Sequence, residues 1–181
     1  MQAHLVMARV IILFLVLSGL LQATTLEQLS MDEMIGKSTA IVRGRVLSAR
    51  AEQHKSIVYT HYSIQVVERW KGTPEENMDV VVPGGKVGNL SQRFAGTPEL
   101  APGFEYVLIL WKGRNGLNQV IGLSQGVFNL KQDSRGEWIL SRSGSDASML
   151  DPTTGREVED RPVRLSLREF TSKVRGRLVR E

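Results

Sequence analysis

Cysteine is missing from all 181 residues. Its absence excludes disulfide scaffolds, thiolate metal centres, cysteine nucleophiles and lipid attachment through an N-terminal cysteine. Histidine is nearly as scarce: His4, His54 and His61 are the full set, whereas a transition-metal site usually draws on three or four convergent ligands. No cofactor and no metal is therefore expected. Long apolar runs are also lacking. The longest, residues 10–21 (VIILFLVLSGLL), falls short of the roughly 20 residues that span a bilayer core. Charge of one sign is in small surplus, 23 Lys and Arg against 19 Asp and Glu, too little for a protein that coats nucleic acid. There is no internal repeat and no low-complexity tract.

The short apolar run instead reads as an address. Arg9 is the only charged residue before it, and Ala23 supplies a small residue after it. This is the layout of a secretory signal peptide. Residues 1–23 are expected to be cleaved, leaving Thr24 as the mature N-terminus and no transmembrane segment. The mature chain is then expected to be extracytoplasmic, either periplasmic or secreted. Its 22 basic residues against 19 acidic ones leave +3. With 41% apolar and 23% charged residues overall, the composition is that of a foldable globule of one domain.

The spacing predicts a short helix over residues 24–37, with Ser30 and Glu33 as a capping box and Gly36 as a stop signal. The period then changes to two. Val42, Gly44 and Val46 share one face of a strand and Arg43 and Arg45 the other, with Gly44 marking a bulge or a close backbone approach. Residues 58–66 alternate most clearly, with Val58, Tyr62, Ile64 and Val66 on one face; this strand ends at Trp70-Lys71-Gly72. Further strands are read at 78–82, 119–123, 127–130 and 138–140. The continuous apolar run 106–111 predicts a strand buried on both sides. Residues 83–102 are rich in glycine and proline and lack periodicity, the mark of a binding loop or an overlooked strand. Residues 141–162 are polar and read as a surface excursion. Leu167, Phe170, Val174 and Leu178 restore helical spacing behind a second capping box, Ser166 and Glu169. The expected fold is mainly β: a small antiparallel OB-like β-barrel around a single interior over residues 24–140, with a short N-terminal helix. A polar loop (141–162) and a C-terminal basic amphipathic helix (163–181) complete it.

The segments Ala40-Ile41-Val42-Arg43-Gly44-Arg45-Val46, Tyr62-Ser63-Ile64-Gln65-Val66 with Trp70-Lys71-Gly72, and Gly103-Phe104-Glu105-Tyr106-Val107-Leu108 resemble the netrin-like and tissue-inhibitor-of-metalloproteinase (TIMP) family of OB-fold domains. The layout is also similar to a group of uncharacterised exported bacterial proteins. The resemblance covers roughly residues 30–130 and implies the barrel. Inhibitors of that family chelate the protease zinc through an N-terminal cysteine, and no residue here can take that part.

Three motifs invite chemistry. Gly122-Leu123-Ser124-Gln125-Gly126 matches the G-x-S-x-G elbow of serine hydrolases, which needs a strand turning into a helix and a histidine after the serine. Here a strand follows and every histidine precedes, so a tight turn between strands is the expectation. Pro83-Gly84-Gly85-Lys86-Val87-Gly88 lacks the G-K-[ST] ending of a phosphate loop and a helix behind it. Residues 161–180 carry seven basic residues and one acidic residue, Glu169, so the last helix either packs with its charges in water or rests on an anionic surface. The leading expectation is an exported, non-catalytic module that binds a protein or a cell-envelope polymer, with no nucleic-acid partner. Gly84, Gly85, Lys86, Arg93 and Phe94 of the 83–102 loop are the candidate binding residues. The alternatives are a cysteine-independent inhibitor of an extracellular protease and, more remotely, a hydrolase using Ser124.

Overall fold

Period-two alternation over residues 40–71 produces two 15-residue antiparallel strands that organise everything else. In chain order the elements are β1 (Thr25–Glu27), α1 (Met31–Lys37), β2 (Ala40–His54), β3 (Ile57–Lys71), β4 (Asn77–Pro83), β5 (Gly85–Val87) and β6 (Leu90–Gln92). They continue with β7 (Glu105–Lys112), β8 (Asn118–Val120), β9 (Val127–Gln132), β10 (Trp138–Arg142), β11 (Ser148–Leu150), β12 (Glu157–Val158), β13 (Val163–Ser166) and α2 (Leu167–Leu178). The structure, a computed structural model, describes residues 25–73 and 75–180. The expected signal peptide, its cleavage after Ala23 and Pro74 of the turn after β3 lie outside the described residues. The fold is mainly β.

Eight strands form one sheet in the order β13-β10-β9-β7-β2-β3-β4-β8. Strand β8 pairs in parallel with β4 (Val80↔Asn118, Val81↔Gln119) and antiparallel with β7 (Leu110↔Val120). The pairing thus runs β2-β3-β4-β8-β7 and returns to β2. Gly44 sits at a register shift between β2 and β3. A Cβ there would overlap Ile64 Cγ2, so glycine is what allows the two strands to approach at this point, as the spacing predicted.

Alternation along β7 divides the interior in two. Tyr106, Leu108 and Leu110 point to one core, with Val42, Val46, Tyr62, Ile64 and Val80. Val107 and Ile109 point to the other, with Ile41, Phe128, Leu140 and both helices. The expectation of a single interior is corrected accordingly, because the helices need a second apolar layer on the reverse of the sheet. Met34 and Ile35 of α1 and Phe170 and Val174 of α2 supply it. Trp70 meets Phe170 edge-on at a centroid distance of 5.4 Å. Burying a side chain of this size contributes about 1.5–3 kcal/mol, enough to dock each short helix.

Both capping boxes form as read. Ser30 and Glu33 close α1, and Ser166 and Glu169 close α2. Glu33 and Glu169 both titrate below the ordinary value, chiefly through the Ser30 side-chain bond and the Ser166 backbone bond respectively. At the other end of α1, Lys71 Nζ donates to the carbonyls of Ile35 (2.8 Å) and Gly36 (3.1 Å), placing a cation where the helix dipole favours one.

Four expectations are corrected. Residues 25–27 are not helix but strand β1, paired in parallel with β11. The 83–102 segment contains the β5–β6 hairpin. The polar stretch 141–162 carries β11 and β12. Residues 163–166 form edge strand β13 before the last helix. Strands of two to four residues have too few positions to display a period; β1 and β13 moreover pair with chain far away in sequence.

Candidate functional site

The turn out of β4 is built by two glycines. Gly84 and Gly85 have φ of +101° and +135°, backbone that side chains other than glycine adopt with strain. A Cβ on Gly85 would stand 2.5 Å from Thr60 Oγ1, so glycine also lets the hairpin lie against the β2–β3 ribbon. Thr60 Oγ1 donates to the Gly84 carbonyl (2.8 Å), and Gly84 N–H donates to Val58 O (2.7 Å). Gln92 then substitutes for a strand neighbour: its Oε1 accepts from Val58 N–H (2.7 Å) and its Nε2 donates to Ser56 O (2.8 Å). Two tyrosine hydroxyls moor the far end of the loop. Tyr62 accepts from Leu100 N–H (3.4 Å) and Tyr106 from Ala101 N–H (3.0 Å). Burial raises the Tyr62 phenol above its ordinary value despite that bond, so it stays neutral.

Between the hairpin, β3 and residues 97–100 lies an open cleft of about 410 Å³. Gly84, Gly85, Lys86 and Arg93 line it, together with Thr60, Tyr62, Gln92 and Glu99. The structure therefore brings together four of the five candidate residues. Phe94 is the exception: it is half-buried, its ring edge is 3.7 Å from where a Gly84 Cβ would stand, and it does not line the cleft. Arg93 is 81% exposed and reaches Asp146 at 3.7 Å, a pair too open to contribute much to stability. Thr60, Tyr62, Gln92 and Glu99 were not singled out in the sequence. Thr60 did leave a signal there, as the one polar residue on the inward face that Val58, Tyr62 and Ile64 share.

A second concavity of about 330 Å³ lies alongside, sharing Arg93, Thr97 and Glu99 and bounded by Ser124, Arg142 and Asp146. Its far wall is fastened by an ion pair with little exposure, 8% for Arg142 and 2% for Asp160. The carboxylate takes both terminal guanidinium nitrogens (2.5 and 3.0 Å) and the Ser145 N–H (2.8 Å).

The G-x-S-x-G motif falls in this region as a single 3₁₀ turn, Leu123–Gly126, running into strand β9. Ser124 N–H donates to Gly96 O (2.9 Å), while its hydroxyl is enclosed without a partner. Gln125, 1% exposed, accepts from Leu29 N–H (2.8 Å) and donates to Glu27 O (2.9 Å). A Cβ on Gly126 would meet the Ile121 and Ile109 carbonyls at 2.7 and 2.8 Å. The motif thus knots the N-terminal segment and the 93–97 loop to the sheet. His61 lies on β3 with Nδ1 2.7 Å from Asp79 Oδ2. Among the described residues no three His, Asp or Glu side chains gather as metal ligands, and no helix is long and apolar enough to cross a membrane.

A further ionic cluster sits on the outer side of β2 and β7. Glu105, 15% exposed, receives Arg43 and Arg45 at 2.7 Å each, and Arg43 also lies over the Trp138 ring at 4.6 Å. Burial pushes the Glu105 carboxyl up, but the hydrogen bonds from Arg45 and Arg43 outweigh it and hold the group below the ordinary value. No protein-family model, curated protein or solved structure matches this chain.

Proposed function

We propose that this chain is a non-catalytic binding module of OB-like architecture, acting outside the cytoplasm, which engages a protein or a cell-envelope polymer through the cleft of residues 83–102. The observation that carries this reading is the way the loop is held. A segment with little hydrophobic content of its own is pinned by Thr60, Gln92, Tyr62 and Tyr106, and it leaves an open cleft rather than collapsing onto the sheet. Pre-organised loops of this kind bind without a large ordering cost. The OB-like reading is supported by the five strands β2, β3, β4, β8 and β7, whose pairings form a circuit in which only β4 and β8 run parallel. OB-type barrels bind through one face and its bordering loops. The segments that resemble the netrin-like and TIMP family fall on β2, β3 and β7. A non-catalytic role is supported by the enclosed Ser124 hydroxyl, which sits in a turn between two strands.

The test is crosslinking in the native compartment with wild type and Lys86→Ala/Arg93→Ala. Both side chains are exposed, so the variant is expected to keep its melting temperature and lose the captured partner. Undiminished capture would reject this cleft as the binding surface. Sequencing the exported protein from its N-terminus, with Thr24 as the expected first residue, checks the localisation.

A further inference from the structure

We infer that α2 carries a second binding surface, a groove for a linear anionic glycan. Residues 161–181 hold seven basic residues against Glu169 and Glu181, a charge of +5, whereas the preceding 160 residues hold 16 basic against 17 acidic, or −1. The whole positive surplus of the chain is therefore gathered in its last 21 residues. Such asymmetry points to an anionic partner.

The structure shows which of these charges are available. Phe170 and Val174 are fully buried, and Leu167 and Leu178 pack against the same core. The apolar stripe of the helix is thus already covered by the sheet, and α2 has none left to sink into a bilayer. On its other side Arg168, Arg175 and Arg180 are exposed. Arg168 and Arg175 are two turns apart, about 10 Å. Several arginines elsewhere have acidic partners, Arg43 and Arg45 with Glu105, Arg50 with Glu52 and Arg142 with Asp160, while others, such as Arg69 and Arg114, stand singly rather than in a row. Among the described residues Arg168, Arg175, Arg180 and the nearby Arg135 pair with no carboxylate.

Two concavities join along this row. One, of about 620 Å³, lies between α2 and the β9–β10 turn and is lined by Arg135, Trp138, Arg168, Thr171 and Arg175. The other, of about 700 Å³, has Arg168, Thr171 and Arg175 in common with it and continues to Val179 and Arg180. Glu68 and Glu137 stand at the first concavity. The second has three arginines and no carboxylate, so the attraction is strongest at the α2 end. A membrane surface would meet ridges rather than a groove, and of the exposed large apolar residues only Val179 lies at this helix. Guanidinium groups spaced along a trough match anions spaced along a chain, because the planar fork pairs with carboxylate or phosphate through two hydrogen bonds. Trp138, with Arg43 over its ring at 4.6 Å, closes one end of the trough. This groove shares no residue with the 83–102 cleft and does not depend on the reading of that cleft.

The test is fluorescence anisotropy of the mature chain with labelled oligogalacturonate, phosphomannan and uncharged dextran. Binding is expected for one or both anionic glycans, the tighter one identifying the anion, and none for dextran. Arg168→Gln/Arg175→Gln should weaken binding by about tenfold or more, as expected for charge-assisted contacts, with an unchanged melting temperature. Lys112→Gln, exposed and outside both clefts, should leave it intact. Three results would overturn the proposal: no preference for either anionic glycan over dextran, equal weakening by Lys112→Gln, or tighter binding to phosphatidylglycerol vesicles or duplex DNA.

Discussion

The two polar segments that leave the main sheet, residues 83–102 and 141–162, are held by different physics. The first is fastened by neutral hydrogen bonds and by glycines at positive φ: Thr60 and Gln92 bond to backbone, and Gly85 fits where a Cβ would collide. The second is fastened by charge, through Arg142 and Asp160 shielded from water. Neutral staples are many and individually weak, so losing one loosens the segment by degrees. A shielded ion pair is all or nothing, since removing one partner strands the other charge in a poorly solvated place. The candidate cleft lies on the multiply stapled segment, which meets the charged one at Asp146, whose carboxylate accepts from Gly96 N–H (2.7 Å) and lies 3.7 Å from Arg93.

Breaking the charged side of this contrast has the largest expected effect. Asp160→Ala leaves the Arg142 guanidinium without its carboxylate and should destabilise the fold by about 3–5 kcal/mol in denaturant melts. Replacing both residues by apolar ones of similar volume should restore much of that loss. Gly85→Ala comes next. Left-handed backbone combined with the approach to Thr60 should cost about 1–3 kcal/mol and displace the hairpin, visible as faster amide exchange at Val87 and Leu90. Gln92→Ala leaves Val58 N–H and Ser56 O without this partner and should cost about 1–2 kcal/mol, with the rest of the loop still anchored by its tyrosines.

The smallest effect sharpens the contrast through pH. The depressed carboxyl of Glu105 contributes stability that is complete above its unfolded value of 4.5 and is lost as pH falls through the lower folded value. Thermal melts from pH 7 downwards should therefore fall in that acid range, and Glu105→Gln should flatten this part of the profile. A Glu105→Gln curve that parallels wild type would show that Arg43 and Arg45 are not coupled to this group.

Much of the frame could be read from residue order, and the reasons are local. Strand alternation at 58–66, the bulge at Gly44, both capping boxes and the double burial expected of 106–111, which holds as far as Leu110 but not at the exposed Trp111, depend on neighbours within a few positions. The short strands β1, β11 and β12 escape a reading of the sequence because each is two or three residues long, and β1 and β11 pair across more than a hundred residues of chain. For the site, Gly84, Gly85, Lys86 and Arg93 were legible as a glycine-rich loop with basic residues. Phe94 looked available to a partner only because a linear sequence does not reveal that its ring turns back towards Gly84. Gln125 is the clearest loss. Beside Ser124 it reads as filler in a hydrolase-like motif, yet its buried amide bonds to Glu27 and Leu29.

Residue order alone determined the β-rich class, the end of β3 at Trp70-Lys71, the helix caps and the concentration of basic charge near the C-terminus. Each follows from interactions over one or two turns or from simple counting. Only the tertiary structure decided that the sheet serves two cores, that residues 141–162 are locked by a shielded ion pair, and which arginines lack partners. Those outcomes depend on which distant groups become neighbours when apolar surface is withdrawn from water, and periodicity carries no record of that.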